Sequence, residues 1–258
     1  DADRRRGAGD DWGLGEEDLA GIDGRPESRF MGVFSRHGLE EALEEAGLLN
    51  RLRQKGFTGL HVTLDLGDPM GHVMAIHAGG PVPQVVVEVK LRVDRHLMPG
   101  AAVLSVEWLL IQDARSRFEL SRPLLPGQEF PGLGLLRDTA AVLIVAADRM
   151  DLDGLAFTPT HFHLANLAWP QGMFADPMAQ ARFLAMREAV ADLRMGEAAR
   201  AVHEGSLLDR EENEPALWAP APMVIPVGDR LAAWFEGSEY TARVAAASFD
   251  FGRSPGRS

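Results

Sequence analysis

The sequence predicts an α+β domain: a mostly antiparallel sheet flanked by helices on both faces, with a helical C-terminal extension. Three observations carry this reading. Four strand-like runs follow one another through short Gly- and Pro-containing breaks at 67–71, 79–83 and 98–100, which favours a meander over parallel crossovers. A stretch with the wholly apolar run 140–147 at its centre then reads as a helix over 135–150. Beyond Asp176 the apolar residues recur at helical spacing. With 258 residues, 46% of them hydrophobic and 25% charged, the composition is that of an ordinary globular chain that needs neither metal nor disulfide to hold a core.

Residues 1–28 carry only Trp12, Leu14, Leu19 and Ile22 as large apolar groups, so this segment is expected to be disordered or loosely docked. A core domain is expected over 29–169. It opens with a short strand at 29–34 and continues into one helix or two over 38–54. There Leu39, Leu43, Leu48, Leu49 and Leu52 keep mostly helical spacing and Gly47 interrupts it. Gly56 suits the left-handed position that ends a helix.

Strands are expected at 60–66, 72–77, 84–93 and 102–112. In the third, Val85, Val87, Val89, Leu91 and Val93 share one face, and Glu88, Lys90 and Arg92 the other. The fourth is apolar on both faces apart from Ser105 and Glu107, which marks it as central and buried. A polar loop over 113–122 leads to the segment 126–134, PGQEFPGLG, and so to the 135–150 helix. Asp138 lies in that helix's first turn, where the dipole favours an anion. A strand at 155–158 and a helix from 161 close the core.

The extension, 170–258, should pack on that core. Asp176 can cap its first helix, Pro177 suits the first helical position, and Phe183, Met186, Val190 and Leu193 line one face. A shorter helix over 197–203, a strand at 223–227 and a helix near 230–235 follow, then a loose tail from 251.

The formal net charge of −12 argues against nucleic acid as a partner, since the one basic run, Arg4 to Arg6, sits among acids. The same field mildly favours a cationic substrate or partner. With no cysteine in the sequence, a thiol nucleophile, a disulfide framework and a cysteine-ligated metal are excluded. The longest apolar run, 140–147, is far shorter than the ~20 residues of a spanning helix, so no membrane partner and a cytoplasmic location are expected. No Walker loop, dinucleotide fingerprint or nucleophile elbow occurs. The oligomeric state is open.

The segment 126–134 is the leading candidate site, because free amides at a helix N-terminus and the helix dipole suit an anion. Gly132 and Gly134 would let a phosphate approach the main chain. Its competing reading is a tight strand-to-helix reversal. His161 and His163 form an H-x-H pair whose imidazoles share one side of an extended chain, as metal sites can use. No third ligand stands at a fixed spacing, so no metal is expected. The pair reads as hydrogen-bonded or substrate-contacting, with His163 able to act as a base through a water.

The order of elements, together with Gly132-Leu133-Gly134, resembles the GNAT superfamily of N-acetyltransferases over roughly 29–169. The family's pyrophosphate loop reads Gln or Arg, two residues, Gly, one residue, Gly or Ala. Here Glu129 holds the first of those positions, Gln128 lies one residue earlier, and Pro131 removes an amide donor. The resemblance implies an acetyltransferase-like fold and transfer of an acyl group from acyl-CoA to a small-molecule or protein amine. It implies a cofactor loop of Gln128, Gly132, Leu133, Gly134 and Leu135, with the pantetheine arm beside 106–112. Glu107 would be the base that deprotonates the amine. Tyrosine often serves this family as general acid, and Tyr240 is the only tyrosine. A non-catalytic ligand-binding or interaction protein on the same scaffold is the alternative.

Overall fold

The computed structural model describes residues 29–80, 83–116 and 124–253. The segment 1–28, the end of the polar loop and the last tail residues lie outside the described residues. In chain order the elements are α1 (Arg36–Glu45), α2 (Leu48–Gln54), β1 (His61–Asp65), β2 (His72–Ala78), β3 (Gln84–Met98), β4 (Ala101–Ile111), α3 (Leu136–Arg149), β5 (Gly154–Phe157) and α4 (Phe162–Ala168). Then come β6 (Met173–Phe174), α5 (Pro177–Ala189), α6 (Met195–His203), β7 (Leu207–Asp209), β8 (Glu214–Pro215), β9 (Met223–Pro226), α7 (Asp229–Glu236), α8 (Ser238–Ala246) and β10 (Phe251–Arg253). The architecture is α+β, with a mostly antiparallel seven-stranded sheet of order β1-β2-β3-β4-β5-β9-β6. The described residues divide into two compact units, one of 29–92, 108–112 and 133–142, the other of 93–107, 113–132 and 143–253. β3, β4 and α3 supply residues to both.

In the first unit Ser35 caps α1, its Oγ accepting from Gly38 N at 3.0 Å. Gly47, at φ +74°, breaks the helical run, and Leu43, Leu48 and Leu52 are fully buried. Asp65 and Asp68 accept from the Gly67 and Met70 amides, turning β1 back on β2. β1 and β2 pair antiparallel, as do β2 and β3, the latter with a register shift at Ile76/His77. Val87, Val89 and Leu91 are buried in alternation, as the pattern predicts. The strand expected at 29–34 is instead a turn closed by a Phe30–Phe34 bridge. Met31 and Gly32 both take positive φ there, which extended pairing does not permit.

In the second unit β3 turns into β4 at Pro99–Gly100, and β4 runs parallel to β5, Val103 facing Gly154 and Val106 facing Phe157. β5 pairs antiparallel with β9, and β9 with β6. The extension is therefore more than helical, since it contributes two strands to the sheet. Asp176 caps α5, accepting from Met178 N and Ala179 N, with Pro177 in the first turn. Phe162, Phe174, Phe183, Met186, Val202 and Leu207 form one buried cluster. Met98, Val103, Ala156, Val224, Leu231, Phe235 and Tyr240 form another. A second sheet, β10-β7-β8, takes in Phe251–Arg253, where the reading from sequence placed only loose tail. Phe251 is buried and anchors it.

Two elements differ from expectation in burial. β4 is buried only over its first half, and Trp108 is 52% exposed. α3 buries one stripe, Thr139, Leu143 and Ala147 at four-residue spacing, and leaves Val145 exposed.

The parallel pair is pinned at its amino end. Asp153 N donates to Ala102 O at 2.7 Å, and Ala102 N donates back to Asp153 Oδ2 at 2.8 Å. Asp153 O accepts from Val227 N and Gly228 N at 2.9 and 3.0 Å, so one residue ties β4, β5 and the end of β9. Gly154 cannot carry a side chain, because a methyl there would lie 2.9 Å from Ile225 O and from Leu231 Cδ1. Replacing Asp153 by Ala strips the partly buried Ala102 amide of its partner, at about 1–3 kcal/mol. We expect D153A to melt roughly 2–10 °C below the parent in a calorimetric scan, and D153N, which keeps an acceptor, to lose less.

Candidate functional site

Glu107 and the H-x-H pair follow the carboxyl ends of β4 and β5 respectively. Glu107 directly follows Val106, the last β4 residue in register with β5. It is exposed, not buried as a central strand implied, and its Oε1 accepts from Ser105 Oγ at 2.7 Å. Beyond Phe157 the chain passes through 158–160 to His161, which stands just ahead of α4 in extended conformation. Burial at the base of the fork therefore gives way to solvent at its tip, and Glu107 takes the solvent side.

Histidines at the start of α4 and near the end of α6 meet one another. His161 and His163 stack with ring centroids 5.7 Å apart and planes at 8°. His203, near the end of α6, meets His161 edge-on at 5.7 Å. His163 is buried, and its Nδ1 has no hydrogen-bond partner. Burial, with His161 beside it, pushes the His163 pKa down to about 4. Burial and then the neighbouring His203 lower that of His161. Both rings are thus held neutral at pH 7, with nitrogen lone pairs available to accept.

The structure brings this pair to the glycine-rich turn, a contact that sequence reasoning missed. Pro126 and Gly127, the latter at φ +79°, occupy the two central positions of a turn closed by Gln128 N donating to Leu125 O at 3.1 Å. That is the pattern of a type II turn, which places glycine third. A methyl on Gly127 would overlap the His161 imidazole at Nε2, so the position is glycine for two separate reasons. Leu125 reaches toward the first turn of α6, where a methyl on Gly196 would stand 3.7 Å from its Cδ2. No spacing in the sequence signals either contact.

The residues assigned to a cofactor loop behave differently from one another. Gln128 turns its side chain inward, Oε1 accepting from Leu125 N at 3.1 Å, so that its carbonyl serves the turn. Glu129 and Gly132 are exposed, and Pro131 O accepts from Asp113 N. Among the described residues a methyl on Gly132 would meet only Gln128 Nε2, at an ordinary 3.7 Å, whereas Gly134 sits at φ +70° and needs its glycine. Leu133 and Leu135 are buried, so their side chains are anchors and only main chain is left to contact a ligand.

Tyr240 is far from acting as an acid. Its hydroxyl donates to Phe174 O at 2.8 Å in a buried setting, and burial, with the charge of Asp176, pushes its pKa well up. Among the described residues no three His, Asp or Glu side chains form a group that could hold a metal ion. Nor, among them, is any helix long and apolar enough to cross a membrane. Against models of known protein families the chain matches none, and no curated protein is significantly similar to it in sequence.

The neutral state of His163 has a consequence for stability. Its pKa falls from 6.5 to about 4 on folding, so protonation favours the unfolded chain. The stabilisation is complete above the unfolded value and is lost as pH falls from about 6.5 toward 4. After allowance for solvent screening it is on the order of 1–2 kcal/mol. Melting temperatures measured between pH 7 and pH 5 should drop, and should drop less in His163→Gln, which cannot take up the proton.

Proposed function

We propose that the chain transfers an acyl group from acyl-CoA to an amine, with the thioester held at the open end of the β4–β5 pair. The observation that carries this reading is the parallel pair itself, set in a sheet where β1–β2, β2–β3, β5–β9 and β9–β6 pair antiparallel. In open sheets, ligands bind beyond the carboxyl ends of parallel strands, where neighbouring chains part. β5 stops at Phe157, level with Val106 of β4, so the thioester would lie just past that pair, beside Glu107.

Glu107 begins that stretch and is the base in this reading. The amine nitrogen forms the new bond to the thioester carbonyl carbon and gives up its proton to the Glu107 carboxylate, directly or through a water. The carbon–sulfur bond breaks, and the thiolate takes its proton from solvent, since Tyr240 is committed to Phe174 O. Ser105 orients Glu107 by its hydrogen bond. His163, buried and held neutral, resists taking up a proton and has no proton-transfer step in this reading. The acidic net charge favours an acceptor that arrives as a cation.

The alternative, a binding protein without catalysis, draws support from Glu129 and from Gln128. The first puts an anion where the family's loop carries Gln or Arg, and the second is turned into its own loop. Acyl-CoA binding and turnover separate the readings. Acetyl-CoA at 100 times its dissociation constant should add about 2.7 kcal/mol, raising the melting temperature by roughly 5–10 °C. Release of free CoA in the presence of polyamines or basic peptides can be followed with a thiol reagent. The protein itself contributes no background, having no cysteine. Glu107→Gln should keep the thermal shift and lose about 100-fold or more in turnover. A shift without turnover supports the binding alternative, and no shift at millimolar acetyl-CoA or longer acyl-CoAs removes the transferase reading.

A further inference from the structure

A cleft of about 290 Å³ opens in the second unit, well beyond the glycine-rich turn in sequence. Phe174, Phe183, Met186, Trp218 and Phe249 make its lining mostly apolar, and Arg182 stands in its wall. The size is at the small end of ligand pockets, which suits a metabolite rather than a long chain or a peptide. Trp218 is held in place by its indole N–H, which donates to Pro159 O at 3.1 Å.

Arg182 is the unusual feature. Its guanidinium stacks over the rings of Phe251 and Phe249, at 5.2 and 5.9 Å from their centroids. Nη2 donates to Leu217 O at 2.9 Å, while Nε is sealed from solvent without a partner. Among the described residues no carboxylate lies within ion-pairing reach of it, although the chain carries 38 acids against 26 bases. The acids nearby are committed elsewhere. Asp250 pairs with Arg210 at 3.1 Å, and both oxygens of Asp176 accept from the amides that open α5. A planar guanidinium held by aromatic faces and lacking a counter-ion is matched by a carboxylate.

We infer that this cleft binds a small monocarboxylic acid with an apolar body, its carboxylate on Arg182 and its body against Phe174, Phe183 and Trp218. Asp176 also lines the cleft, six residues before Arg182 and so roughly 9 Å away along the helix. Its charge repels a second carboxylate at that end, which selects mono- over dicarboxylates. The site is separate from the acyl-transfer reading and does not require it.

The probe is 3-phenylpropanoate, titrated into the full chain by calorimetry beside its neutral amide and a dicarboxylate of similar length. Saturable binding of the acid, with the amide and the dicarboxylate each about tenfold weaker or more, is expected. Arg182→Gln should weaken the acid about tenfold and leave the amide unchanged. Should Arg182→Gln fail to fold, Ala179→Leu, which fills the cleft and keeps the cation, must abolish binding. No saturable binding at millimolar acid, equal binding of acid and amide, or binding that survives Ala179→Leu overturns the assignment.

Discussion

The β4–β5 pair depends on Asp153. A parallel neighbour in a meander-built sheet has no hairpin to set its register, and β5 is only four residues long. Asp153 supplies what the missing hairpin would have given. Its main chain joins β4 to the end of β9, and its carboxylate closes a second bond to Ala102. Gly154 follows at once, and the close approach of Ile225 O leaves no room there for a side chain. A slip of one residue would reverse every side chain of β5. Leu155 and Ala156, both buried, would exchange faces, and the chain would enter the 158–160 segment turned over. The positions of Glu107 and His161 at the far end are therefore fixed by contacts at the near end.

That dependence links the two candidate sites. The segment 158–160 leaves β5 and delivers His161 to the turn at Gly127. The same segment gives Pro159 O to the Trp218 indole, and Trp218 walls the cleft beside Arg182. One short connection, anchored on a pinned strand, thus serves a polar cluster on one side and an apolar cleft on the other. Loops that carry chemistry on a rigid scaffold commonly have this arrangement. The electrostatics of the two differ in kind. The imidazoles are kept neutral by burial, whereas the Arg182 guanidinium lies over aromatic faces.

Much of the fold was legible because the elements are long and their periods clean. Gly47 and Gly56 stand where the helices end, Val87, Val89 and Leu91 alternate as read, and Asp176 with Pro177 marks α5. The two-residue strands β6 and β8 have no period to detect, and α8 lacks a capping side chain to announce it. The burial of β4 was overestimated because apolar residues on both faces suggest a central strand, yet Trp108 is exposed. A signal for the parallel pairing did exist. A strand, a helix and a second strand spread over 101–157 have the length of a parallel crossover, which a hairpin rule does not cover. For the site, residue type pointed to Glu107 and the H-x-H pair. Their environments were not legible, since the exposure of one and the burial of the other are set by contacts far along the chain.

The fate of Tyr240 bears on how acyl transfer could proceed here. It donates to Phe174 O and packs against Trp234 and Phe235, at ring distances of 4.9 and 5.1 Å. Freeing it would break a buried hydrogen bond and an aromatic cluster at once, so it belongs to the core. A transferase without an acid at the leaving group is still chemically sound. A thiol titrates near 8.5, so a thiolate departs at neutral pH with little help, unlike the alkoxide of an ester. The demand falls on the other side of the reaction, where a cationic amine must lose a proton before it can attack. In the proposed reaction the acceptor for that proton would be the Glu107 carboxylate, steadied by Ser105, and assistance would be needed there rather than at the leaving group.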